Sequence, residues 1–225
     1  MKTPSLIYWK EFYQKLEEDT TTYYQYDSLL GWTYRPNSSS ENGYYNFNNQ
    51  GIRGSKVYSQ LPARDTIRIA LLGNSAIFSA EVQDTQSLAY YLEKELQGQE
   101  KMVEVINFGV GGYGTDQALL NWKFKAKSFK PDLVVQGMMV WDFAINLNMF
   151  RYCVSPNTGI AYTKPRAILE AGSLKWVNYP TIPIPQMVDS IVIGYEERSF
   201  FEYEHFKKTE RYGFNILDNL YLYRI

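Results

Sequence analysis

The chain has 225 residues, 23 basic against 24 acidic. That length suffices for one large domain with a substantial core, and neither a net charge nor a basic stripe points to a nucleic-acid or other polyanionic partner. A single cysteine, Cys153, excludes an internal disulfide; no Cys/His cluster suggests a metal or other cofactor, and no segment is long and apolar enough to span a membrane.

Residues 5–19 place Leu6, Trp9, Phe12, Tyr13 and Leu16 near one face of an amphipathic helix. The first ten residues carry no apolar signal core and no small-residue cleavage site. Residues 20–62, rich in Tyr, Asn, Ser and Gly, read as a long loop with short strands and a turn near 38–43. The tyrosine clusters (Tyr23, Tyr24 and Tyr26; Tyr44 and Tyr45; Tyr221 and Tyr223) are expected to fill the core and cover loops rather than to stack on sugars.

An apolar run (Ile67, Ile69, Ala70, Leu71 and Leu72) stops at Gly73-Asn74-Ser75, the pattern of a buried parallel strand ending in a tight turn. Ligands bind outside the carboxyl ends of strands in open α/β sheets, so Ser75 is a candidate nucleophile. Its competing role is a helix N-cap, which Asn and Ser both favour. After a helix over 85–97, a second strand at 103–107 runs into a glycine-rich turn, Phe108-Gly109-Val110-Gly111-Gly112. Glycines there let backbone N–H groups approach a ligand and hold a developing oxyanion. Thr115 or Asp116 is expected to cap a helix over 115–129. A third strand over 132–139 leads to Trp141-Asp142, so three strand ends carry Ser75, Gly112 and Asp142. Residues 160–178 read as a hairpin turning near 170–173. Pro180, Pro183 and Pro185 mark an extended linker, and residues 214–225 read as a helix with one apolar face.

In this order and spacing the blocks resemble the SGNH/GDSL hydrolases, a family of GDSL-like lipases, esterases and acylhydrolases, in one of its bacterial branches. Gly73-Asn74-Ser75 stands where the family has Gly-Asp-Ser, the run from Asn107 to Gln117 matches its second block, and Pro131-Asp132 with Trp141-Asp142 matches its third. The flanks Asp27 to Trp32 with Pro36, Asn48 to Gly54, and Lys164 to Leu174 match as well. The resemblance implies an α/β, three-layer flavodoxin-like fold with a central parallel sheet. It implies an N-terminal extension over 1–62 and a hydrolase domain over 63–225 with a hairpin insertion at about 155–185. Ser75 would attack a carboxylic ester, of a small molecule or a glycan, through a covalent acyl-enzyme without a cofactor. The N–H groups of Ser75 and Gly112 would line the oxyanion hole.

Several positions depart from the family. Asn74 replaces an Asp, and restoring Asp there would be expected to add a hydrogen bond across to the third block. Trp141 stands where the family has its third oxyanion donor, an Asn; the nearby Asn146 and Asn148 read as loop and cap residues. The family's base is the His of a C-terminal Asp-x-x-His, and a serine is a poor nucleophile without a base. The one histidine, His205 in Glu202-Tyr203-Glu204-His205, has a carboxylate spacing that also fits a surface pair on a helix. Asn74, Trp141, Asp142 and His205 are therefore secondary site candidates.

The family's C-terminal strands and Asp-x-x-His are missing from the sequence, which is thus expected to be a fragment, a degenerate chain or one completed by a partner. Strand 132–139 would then become a hydrophobic edge. The expected function is ester hydrolysis, inactive in this chain alone; the alternatives are a degenerate SGNH-fold binding protein, or an acyl- or acetyltransferase acting on cell-envelope glycans. The sequence as written implies a cytoplasmic protein, or an extracytoplasmic one if an export segment precedes it.

Overall fold

The computed structural model describes residues 11, 13–15, 22–97, 102–151, 154–155, 158, 160–187 and 201–205. Cys153, Tyr221, Tyr223 and the predicted helix over 214–225 lie outside these. Of the helix predicted over 5–19, Glu11 and residues 13–15 are described and helical. The chain forms two compact units, Thr21–Gln25 with Thr33–Phe143, and Met1–Thr20 with Tyr26–Trp32 and Ala144–Ile225.

The first unit is built on a parallel sheet of three strands, β3 (Thr66–Leu72), β4 (Met102–Asn107) and β5 (Leu133–Gln136), in the order β4-β3-β5. β3 enters first and lies in the centre, with Ile69 opposite Val105 on one side and Leu133 on the other. Side chains alternate between faces along a strand. Ala70 and Leu72 pack with Ile106, Phe108, Ala126 and Phe129, while Ile69 and Leu71 pack with Val103, Val105 and Ala89. Both faces of β3 are thus covered, which explains its apolar run from Ile69 to Leu72.

Arg68, on this buried strand, is offset by specific partners. Its Nη2 donates to Glu104 Oε2 at 2.6 Å, and its Nη1 to the carbonyls of Ser59 and Phe129. A charge buried at 1 % exposure needs such pairing.

The connecting helices are α1 (Ser75–Phe78), α2 (Leu88–Leu96) and α3 (Thr115–Phe124). The Ser87 hydroxyl accepts the Tyr90 N–H at the start of α2. The helix predicted over 115–129 breaks into α3 and a 3-10 turn, Ala126–Phe129. Its cap is Gly114, not Thr115 or Asp116, because both of those are already inside the helix. The strand predicted over 132–139 is extended only at Leu133–Gln136. All four of its residues are exposed, so the expected hydrophobic edge is present among the described residues.

Two short strands precede the sheet, β1 (Tyr24–Asp27) and β2 (Gly31–Tyr34), paired as a two-stranded sheet. Asp27 Oδ1 closes the turn between them by accepting the N–H groups of Leu29 and Leu30.

α4 (Asp142–Asn146) starts in the first unit and ends in the second, which holds the predicted hairpin, β6 (Arg166–Glu170) with β7 (Ser173–Val177). Its turn is Ala171-Gly172, both at positive φ, as a type I′ hairpin loop requires. The proline-marked linker is tied back at Thr181, whose N–H donates to Ser28 O and whose carbonyl accepts the Tyr26 hydroxyl at 2.7 Å. Glu204 is the buried centre of this unit: its Oε2 accepts the N–H groups of Met149 and Phe150 and the Asn148 side chain.

Candidate functional site

The predicted strand-end residues of the first unit converge at the carboxyl edge of its sheet. β3 leaves the sheet at Gly73, where a Cβ would stand 2.8 Å from Gly137 O. Asn74 follows as the N-cap of α1, its Oδ1 accepting the Ala76 N–H at 2.9 Å. The cap and the candidate nucleophile are therefore adjacent residues, not rival readings of one: Asn74 is buried, and Ser75 is exposed at the first helical position.

The glycine-rich turn after β4 is fastened onto this corner. Phe108 N–H donates to Leu71 O, and Val110 N–H donates to Gly73 O at 3.0 Å. Asn107 bridges the two turns, donating from Nδ2 to Ile77 O and accepting the Gly109 N–H, each at 2.9 Å. Gly109 admits nothing larger, since a Cβ there would lie 2.5 Å from the Phe78 backbone nitrogen. Gly112 sits at φ +80°, a conformation that glycine adopts at little cost.

The end of β5 completes the corner. Asn74 Nδ2 donates to Asp142 Oδ1 at 2.7 Å, and Asp142 Oδ2 accepts the Met139 N–H at 2.9 Å. Both side chains are buried, at 5 % and 2 % exposure. Asn74 thus already makes the cross-block bond that Asp was expected to restore. An Asp at 74 would instead bring two carboxylates together, and that expectation is overturned. A Cβ on Gly137 would run into the Ile77 side chain.

Most polar groups around this corner are claimed, but those that the family resemblance singles out are not. Among the described residues, the Ser75 hydroxyl, the Ser75 N–H and the Gly112 N–H have no hydrogen-bond partner. The first N–H groups of a helix have no acceptor inside it, which accounts for Ser75.

The remaining candidates are placed differently. Trp141 is 42 % exposed in the turn that Asp142 closes. Asn146, Asn148 and His205 belong to the other unit. Asn148 is buried, donating to Phe150 O and Glu204. His205 is exposed, with its N–H donating to Leu147 O at 3.3 Å. In its segment Glu204 accepts the N–H groups of Met149 and Phe150. Among the described residues, no three His, Cys, Asp or Glu side chains cluster as a metal site.

Two supports under the corner escaped the sequence reading. Arg53, from the Gly51-Ile52-Arg53-Gly54 flank, holds the far end of α1. Its guanidinium donates to the carbonyls of Phe78, Ser79 and Val82 and, at 2.8 Å, to Asp84 Oδ1. It also lies over the rings of Tyr45 and Phe78. The second support is Tyr34, whose ring stacks on Phe47 at 4.3 Å and meets Phe78 at 4.9 Å. Tyr23, Tyr24 and Tyr45 join the same cluster, so these tyrosines pack as the sequence reading expects. Burial, ahead of the neighbouring Tyr24, holds the Tyr34 phenol well above its ordinary pKa.

No model of a known protein family matches the chain, and no curated protein matches its sequence.

Proposed function

We propose that the first unit carries the nucleophile and part of the oxyanion hole of an SGNH-type serine hydrolase acting on carboxylic esters. The observation that carries this reading is that, among the described residues, the Ser75 hydroxyl and the N–H groups of Ser75 and Gly112 have no partner at a corner whose turns are fastened to one another by hydrogen bonds. The sheet order supports it. A central first strand flanked by the second and third is the start of a flavodoxin-like sheet, in which ligands bind at the switch point outside the first and third strands. Here those are β3 and β5, and the Asn74–Asp142 bond spans their ends.

In this reading Ser75 Oγ attacks the ester carbonyl carbon. The carbonyl oxygen takes up the negative charge, which the two N–H groups receive. The alcohol leaves, and water releases the acid from the acyl-enzyme. A carboxamide at 141 would add a third donor, and loss of one such donor costs roughly 10²–10³ in rate. The Ser75 proton needs an acceptor, and among the described residues no base is hydrogen-bonded to the Ser75 hydroxyl.

That last observation favours a second reading, a fold that binds esters without turning them over. One experiment separates them: labelling by a fluorophosphonate, with and without added imidazole as an external base, read by mass at the Ser75 peptide. Labelling that imidazole accelerates and Ser75→Ala abolishes supports the hydrolase. No labelling under either condition leaves only the binding reading.

A further inference from the structure

We propose that Tyr34 is a positioning residue of this corner, setting the Gly111–Gly112 turn so that the Gly112 N–H stays open. The proposal rests on the reading above for its catalytic consequence, but its structural content stands on the geometry alone.

The Tyr34 hydroxyl is the acceptor for the Gly111 N–H, at 2.9 Å. The phenol is 3 % exposed, so no water competes for that bond from bulk solvent. The turn also runs close to a second ring of the tyrosine cluster, since a Cβ on Gly111 would lie 2.5 Å from the Tyr24 hydroxyl. One N–H of the turn is thus bound to the layer below, and the next, on Gly112 at φ +80°, is left without a partner among the described residues.

The same ring packs on Phe78 of α1. A single side chain therefore contacts both elements that carry the unclaimed N–H groups, the helix bearing Ser75 and the turn bearing Gly112. Tyr34 lies 77 residues from Gly111 in the chain. A side chain fixed by stacking, bonded to one turn and packed on the other, holds two donors in register in the way that preorganised sites require.

Tyr34→Phe tests this, because it keeps the ring and its stacking and removes the hydroxyl that accepts the Gly111 N–H and is also bonded to the Tyr24 side chain. Two readouts apply: amide hydrogen exchange at Gly111 and Gly112, and the fluorophosphonate reaction at Ser75 resolved into kinact and KI. Both are measured well below the melting temperature of the variant. The expected result is exchange at Gly111 at least about tenfold faster, with kinact down about tenfold and KI unchanged, since the loss is in holding the charged oxygen. A purely structural role would lower the melting temperature and leave kinact alone. Unchanged exchange at Gly111 overturns the proposal, as does faster exchange with unchanged kinact. If the wild-type chain is not labelled at all, the hydrolase reading fails by that fact, and exchange at Gly111 alone decides whether Tyr34 sets the turn.

Discussion

Ile69 and Leu133 are partners across the ladder between β3 and β5, and they live in different worlds. Ile69 is 5 % exposed and Leu133 is 52 % exposed. The strands read alike in sequence, as apolar runs that end in glycine, but among the described residues only β3 has a neighbour on each side and a layer on each face. The turns that follow differ in the same sense. Those after β3 and β4 are fastened by Asn107, Arg53 and Tyr34, while Met138, Met139, Val140 and Phe143 after β5 are half exposed or more. The covered ends have little freedom left in their polar groups. The third end is tied into the corner through Asp142. An apolar run predicts a strand; what covers the strand decides how firmly it holds a site.

The sharpest way to break this contrast is to place the same charge on both partners. Ile69→Lys buries an unpaired ammonium and should cost at least about 3 kcal/mol, seen as loss of the cooperative denaturant transition. A transition that persists near its original midpoint would mean that β3 is not the covered strand described above.

Next in size is Asn74→Asp. Two carboxylates facing each other raise the pKa of one of them, so the folded state holds a proton that the unfolded chain releases near pH 4. Stability is then intact below that pH and falls as pH rises above it, by about 2 kcal/mol at neutrality. Urea titrations at pH 4 and pH 7 check the sign, and equal losses at both would count against the Asn74–Asp142 bond.

A smaller effect is expected at alkaline pH. Burial, then the carboxylates of Glu93 and Glu104, hold the Tyr58 phenol above its ordinary range. A raised pKa in the folded state preserves stability up to the unfolded value near pH 10 and loses it as pH climbs further. Tyr58→Phe should flatten that alkaline loss by about 1 kcal/mol per pH unit, measured as melting temperature against pH. An unaltered slope would exclude Tyr58 as its source.

The smallest change is Leu133→Lys. On an exposed edge it should alter stability by no more than about 0.5 kcal/mol, while reducing self-association in sedimentation, because a charge on an edge strand discourages pairing with another chain. A destabilisation comparable to that of Ile69→Lys would show that β5 is covered after all.

The three strands, the turns at Gly73 and Gly112 and the hairpin at Gly172 were legible because each is set by local pattern: an apolar run stopped by glycine, or two alternating runs around a turn. The supports were not. Arg53 reaches Phe78 across 25 residues, Asn107 reaches Ile77 across 30 and Asn74 reaches Asp142 across 68. No window of sequence contains such a pair. Arg53 did carry a trace, standing in a glycine-flanked motif with no apolar partner to explain it. Tyr34 carried none, being one of 20 tyrosines. The cap of α3 was misplaced because Thr115 and Asp116 are good capping residues on their own, while the path of the glycine turn starts the helix one residue earlier, at Gly114.

Gly137 and Ile77 share one small space, and that has an evolutionary reading. The obstacle to a side chain at 137 is the flexible end of Ile77, not backbone. The two positions should therefore drift as a pair, with alanine tolerated at 137 only in chains whose residue 77 has shrunk. A combined Gly137→Ala and Ile77→Ala chain should be more stable than the sum of the single changes allows, a non-additivity expected of residues that compete for one volume. Residue 77 follows the candidate nucleophile by two, so such paired drift would mark lineages in which the floor beneath Ser75 has been recast.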